Sequence, residues 1–167
     1  ADQGPVDLAI EIAAATLTTV RPGMTQERYE EIVELAKEDI RAGEVFQVVT
    51  RRQGPFPARI ADVGVVKDLA THDIDLTAWV TQQNFASVSA RTAYKSGRQH
   101  EDLVAVVGQL TDGTVTSHLV NWLSPMKERV TIVTGERGAF VADTLSADLT
   151  FFANGLMLNS SLTVVGG

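Results

Sequence analysis

The chain has 167 residues, of which 44% are hydrophobic and 21% charged, a balance that suits one compact domain and excludes an extensively disordered polypeptide. It contains no cysteine, so disulfides and thiolate metal sites are excluded. With no apolar run near the roughly 20 residues of a membrane helix and no basic leader, the chain is expected to be soluble and cytoplasmic. The net charge of −7 is concentrated early, since residues up to Glu44 carry 10 acidic and 4 basic side chains and the remainder 11 and 10; no basic stripe favours nucleic acid.

The first 43 residues predict a helical hairpin. "VDLAIEIAAATLTTV" is rich in helix formers and stops at "RPG", where proline and glycine oppose continuation. "TQERYEEIVELAKEDIRAG" opens on Thr25 as N-cap and closes on Gly43 as C-cap, with Tyr29, Ile32, Val33, Ala36 and Ile40 at helical spacing. Its glutamates read most simply as a solvated face.

From residue 44 the period changes to that of strands. "EVFQVVTRR" is β-branched and aromatic, and "GPFP" can only be a turn or loop. "FASVSARTAY", "DLVAVVGQL", "TVTSHLVNWL", "RVTIVTG" and "GAFVAD" follow, separated by the turn signals "SGRQHE", "TDGT" and "GERG". The expected fold is α+β, a mainly antiparallel open-faced sheet with helices on one face, over residues 44–167 and without a Rossmann domain. In "TVTSHLVNWL", His118, Val120 and Trp122 share one face of the strand. An open sheet face bearing Val120 and Trp122 predicts a homo-oligomer formed through it.

Between these strands, about Val66 to Val80 has the length and composition of a helix. Helical geometry places Asp68, His72 and Asp75 on one stripe beside an apolar stripe of Leu69, Leu76 and Val80. A histidine that titrates near neutrality, oriented by a carboxylate, suits general-base chemistry; a helix whose polar stripe faces water fits the same spacing. The three histidines, His72, His100 and His118, lie on different elements without the close spacing of a zinc-binding helix. No nucleophile elbow accompanies His72, which disfavours a hydrolase.

From about Gly43 to Gly155, "GEVFQVVTRRQGPFPARIADVGVVKDLATHDIDLTAWV", "GQLTDGTVTSHLVNWLSPMKERVTIVTGERGAFVADTL" and "ADLTFFANG" resemble the C-terminal domain of Gfo/Idh/MocA oxidoreductases, and most of all the sugar-nucleotide dehydrogenases. The resemblance implies a sheet that builds the substrate pocket and often the oligomer interface, preceded by a Rossmann domain holding NAD or NADP. It implies that Asp68 and His72 face the nicotinamide, His72 deprotonating the substrate hydroxyl and Asp68 orienting the imidazole. Arg52 and Arg59 are the candidate contacts for sugar-nucleotide phosphates, with His118 a further candidate substrate contact.

No G-x-G-x-x-G occurs and the family's Glu-Lys-Pro lysine has no counterpart. The chain is therefore expected to have the substrate half of a dehydrogenase, to bind no NAD or NADP alone, and to require a separate Rossmann domain for activity. Residues 1–43 do not match; "YEEIVELAKEDIRAGEVFQVV" resembles a segment of anthranilate synthase component I and "VRPGMT" methionine aminopeptidase-like proteins, with no functional residue carried over. Two functions compete: the substrate-binding half of an NAD(P)-dependent sugar or sugar-nucleotide oxidoreductase, and a non-catalytic binding or assembly module that keeps the sheet for oligomerisation.

Overall fold

The computed structural model describes residues 44–58, 60 and 62–154, together with Glu34, Lys37, Glu38 and Ile40. Those four are helical and fall within the second expected N-terminal helix. The rest of the expected hairpin, and Arg59, lie outside the described residues.

Seven strands form one sheet: β1 Val45–Pro55, β2 Phe85–Ala93, β3 Leu103–Leu110, β4 Val115–Asn121, β5 Leu123–Gly135, β6 Gly138–Asp143 and β7 Asp148–Ala153. Their order is β2-β3-β4-β1-β5-β6-β7. The antiparallel expectation needs one amendment, because β1 pairs in parallel with β4 and the sheet is mixed. Gln53 of β1 is opposite Asn121 of β4 on one side and Glu128 of β5 on the other, so the chain crosses the end of β1 between those two residues. Strand β4 and strand β5 are thus not hairpin partners.

The β3–β4 turn follows its sequence closely. Gly113 takes φ 96°, a conformation that strains any side chain, while the Asp112 carboxylate accepts the Thr114 N–H at 2.9 Å. Strand β3 then alternates, with Val104, Val106, Gly108 and Leu110 buried and Ala105, Val107 and Gln109 exposed.

A π-helical turn, Val66–Ala70, runs into helix α1, Thr71–Thr81, close to the single helix expected. Neither cap position supplies a side chain, and Glu101 does so instead. Its carboxylate accepts the Val66 N–H at 3.0 Å and its carbonyl the Val65 N–H at 3.1 Å. A Cβ at Gly64 would overlap that carboxylate, so glycine there keeps the cap in place.

The core lies between this helical segment and the inner face of the sheet. It gathers Val65, Ala70, Val104, Val106, Val120 and Trp122, with Ile60 and Leu69 against them. Val120 and Trp122 are 0% and 5% exposed, which corrects the expectation that they look out from the open face. Burying the valine alone contributes about 1.5–3 kcal/mol. The uncovered face presents other apolar side chains, Val107, Val115 and Phe152 among them, each about half exposed.

The helix also buries an unexpected side. Asp73, Thr77 and Thr81 are buried against the sheet, whereas Leu69, Leu76 and Val80 are only partly covered. The threonines tolerate burial because each hydroxyl donates to the carbonyl four residues back, Thr77 to Asp73 and Thr81 to Thr77, both at 2.8 Å. No described helix is long and apolar enough to cross a membrane.

Candidate functional site

The segment "DLATHDID" sends its polar side chains in three directions. The π-helical turn widens the spiral around Asp68, so that Asp68 and His72 are not stacked as they would be in an unbroken α-helix. No hydrogen bond joins their side chains. Asp68 opens into a pocket of about 390 Å³ at the end of β1. His72 is exposed and borders a shallow surface depression with Asp75 and Trp79.

Asp73, which the sequence reading passed over, turns inward. It is 2% exposed and accepts the Arg52 Nε–H at 2.7 Å and the Thr50 hydroxyl at 3.2 Å. The Thr50 hydroxyl lies 2.8 Å from His118 Nδ1. With the hydroxyl proton given to Asp73, it can accept from Nδ1–H, which leaves Nε2 as the unprotonated ring nitrogen. Burial lowers the His118 pKa, and the Asp73 charge only partly opposes this, so the imidazole is neutral at pH 7. His118 Nε2 and the hydroxyl of Thr116, two residues earlier on the same strand, are buried without a partner among the described residues.

The structure therefore separates the expected site residues. Asp68 and Arg52 line one pocket. His72 sits at the surface beside it in sequence but outside that pocket, and His118 lies in the core between Thr50 and the Phe85 ring, 6.1 Å from the latter's centroid.

Three further groups shape the Asp68 pocket: Trp122, Lys127 and Arg129. The Phe56 and Trp122 rings meet edge-on with centroids 5.4 Å apart, and the Arg98 guanidinium stacks over both, at 4.2 and 5.1 Å. Arg98 is itself held by the Val63 carbonyl at 2.7 Å and by Asp102 at 3.5 Å. Hydrogen bonds from Ser96 and from the Lys95 and Ser96 N–H groups, with the Arg98 charge, hold the Asp102 carboxyl below the usual range against the opposing effect of its burial. This wall is held by contacts distant in sequence, which local pattern conceals. The cations were visible in "PMKERV", where strand alternation puts Lys127 and Arg129 on one face.

Among the described residues, the start of the helical segment offers no open cradle for a pyrophosphate. The one helical N-terminus that could face a pyrophosphate already holds the Glu101 carboxylate, and no glycine-rich turn precedes it. Among the described residues no group of three His, Cys, Asp or Glu side chains could hold a metal ion.

Comparison with known proteins agrees with this architecture. The chain is similar in fold to the UDP-N-acetylglucosamine 3-dehydrogenase GnnA from Acidithiobacillus ferrooxidans, at TM-score 0.67 and 22% identity over 75% of this chain and 41% of that one. It is likewise similar to the WlbA dehydrogenase from Bordetella pertussis, solved with NADH and UDP-GlcNAcA, at TM-score 0.62 and 21% identity over 74% of this chain and 43% of that one. GenD2 from gentamicin A biosynthesis, solved with NAD, gives TM-score 0.59 and 24% identity over 69% and 36%. The chain thus spans about two fifths of the length of these structures. No curated protein is significantly similar in sequence. The GFO/IDH/MocA C-terminal domain family matches residues 34–141, well over half of the chain, and on that match the chain belongs to the Gfo/Idh/MocA family through its C-terminal domain.

Proposed function

We propose that the chain is the substrate-binding half of an NAD(P)-dependent sugar or sugar-nucleotide oxidoreductase. The observation that carries this reading is the pocket at the end of β1, where Asp68 of the family segment meets Arg52 beside an aromatic wall. A pocket of this kind, apolar on one side and charged on the other, suits a sugar bearing an ionised substituent.

In this reading His72 takes the proton of the substrate hydroxyl as the carbon beneath it is oxidised, and Asp68 orients the substrate from within the pocket. His72 is exposed on the described surface, where a Rossmann domain carrying the cofactor would meet it and close the site. NAD or NADP would accept hydride there; the described residues supply the proton acceptor and the substrate contacts. Arg52 holds an anionic substituent, with Arg59 as its expected companion. His118 supports the site from the core by holding Thr50 against Asp73, and does not touch substrate.

Fusion to a Rossmann domain of the same family tests the chemistry. His72→Ala should lower turnover of a sugar nucleotide by roughly 100-fold or more, the scale for losing a general base. Turnover that survives the substitution would remove His72 from the mechanism. The alternative, a binding or assembly module without redox chemistry, draws support from the apolar residues on the uncovered sheet face. That face suits a second copy of the chain.

A further inference from the structure

The inner face of β1 and β5 sets two like charges directly opposite one another. Arg52 and Arg129 are direct cross-strand partners, and directly opposed like charges on a sheet repel. Lys127 follows on the same face, in the same pocket.

Among the described residues only one acidic neighbour pairs with a member of the cluster. Glu128 lies between Lys127 and Arg129 in sequence, but strand alternation turns it to the other face, where it pairs with Arg51 at 3.2 Å and accepts from Gln53 at 2.6 Å. Asp73 is committed to Arg52 Nε. Asp68 shares the pocket but forms an ion pair with neither Lys127 nor Arg129, and those two make none among the described residues. A protein of net charge −7 thus holds three cations around one concave site, two of them without an ion pair among the described residues.

We propose that Lys127 and Arg129, together with Arg52, form a subsite for a phosphate or diphosphate group, so that the ligand of this pocket is a phosphorylated sugar and not a neutral one. The proposal rests on the reading of the Asp68 pocket as the substrate site. Each guanidinium presents a planar fork that matches two oxygens of a phosphate, and Lys127 adds a mobile point charge at the rim. An anion between the strands replaces the Arg52–Arg129 repulsion with two attractive contacts. Asp68 lines the same pocket, where a carboxylate disfavours an anion beside it and suits the hydroxyl end of a sugar.

Calorimetric titration of the chain with inorganic pyrophosphate tests the subsite, with Arg129→Gln, Lys127→Gln and the distant Lys95→Gln as variants. Pyrophosphate should bind with an affinity that falls as salt rises. Arg129→Gln should weaken it about 10-fold or more and Lys127→Gln about 3-fold, with Lys95→Gln unchanged. Thermal unfolding gives a second readout that a merely structural arginine would not give. In anion-free buffer Arg129→Gln should raise Tm by about 1–3 °C, because it removes a cross-strand repulsion, and it should abolish the Tm gain from pyrophosphate.

UDP-N-acetylglucosamine and glucose 6-phosphate identify the source of the anion. Tighter binding of the first assigns the diphosphate of a nucleotide, and of the second a sugar phosphate. Pyrophosphate that fails to bind, or binds equally well to Arg129→Gln and Lys127→Gln, overturns the subsite. UDP-N-acetylglucosamine binding that ignores both substitutions also overturns it, while leaving the sugar-oxidoreductase reading intact. Pyrophosphate binding through Arg129, with no gain from an attached sugar, supports the subsite and removes the sugar reading instead.

Discussion

Asp73→Asn removes one charge from the centre of the helix–sheet contact and keeps the shape of the side chain. Asp73 is 3% exposed in its side chain and Arg52 17%, with Nε 2.7 Å from Oδ1. Breaking a fully buried ion pair by removing one partner costs about 3–5 kcal/mol, but Arg52 retains some hydration and asparagine can still accept one hydrogen bond. The expected loss is therefore about 2–3 kcal/mol. The pair Arg51–Glu128 provides the internal comparison, because Arg51 is 50% exposed; Glu128→Gln should cost less than about 1 kcal/mol. Urea unfolding followed by circular dichroism measures both, and the Arg52→Gln, Asp73→Asn double variant should lose less than the sum of the two single variants. Equal losses for Asp73→Asn and Glu128→Gln, or strict additivity of the first with Arg52→Gln, would refute the assignment of Asp73 as the anchor of α1.

The buried histidine makes stability depend on pH. Because the folded pKa of His118 is lowered, the unfolded chain binds more protons once the pH drops below the free-histidine value of about 6.5. Stability then falls on acidification from neutrality down to the folded pKa, and His118→Gln should flatten that part of a urea-midpoint curve; a curve of unchanged slope contradicts the burial argument. Gly64→Ala displaces the Glu101 carboxylate from the start of the helical segment, with an expected loss of about 1–2 kcal/mol by thermal unfolding. A Tm equal to that of the parent rules out Glu101 as the cap. For the uncovered face, sedimentation should show a dimer or larger assembly at micromolar concentration that Val107→Arg dissociates, and a monomer in the unsubstituted chain would remove the oligomer proposal.

Local alternation made the strands legible, and it did so most clearly in β3, where every second residue from Val104 to Leu110 is buried. What local pattern does not carry is the choice of partner. The insertion of β1 between β4 and β5 depends on contacts far apart in sequence, so a run of strands read as successive hairpins gave the wrong neighbours at that point. Pro125 hid the early start of β5, which lies where the β1–β5 register shifts between Gln53 and Pro55 and a missing N–H is tolerated. Asp68 and Arg52 were singled out by motif and charge, and both line one pocket. Asp73 was not, because a carboxylate on a helix is ordinarily assigned to water, and only the distant Thr50 and Arg52 make its burial favourable.

The π-helical turn and Asp73 together explain how one short segment can serve a pocket and an outer surface at once. Successive residues of an α-helix differ in direction by about 100°, so fixing Asp73 against Thr50 and Arg52 also fixes the direction of His72, its neighbour in α1. The wider turn before α1 sets Asp68 by a different spacing, toward the end of β1. Arg52 is common to both arrangements, since its Nε holds Asp73 while its guanidinium borders the pocket. An anion drawn to Arg52 and Arg129 would therefore act on the same side chain that anchors the helix bearing His72. Arg52 in this way ties the wall of the pocket to the anchor of the helix that carries His72.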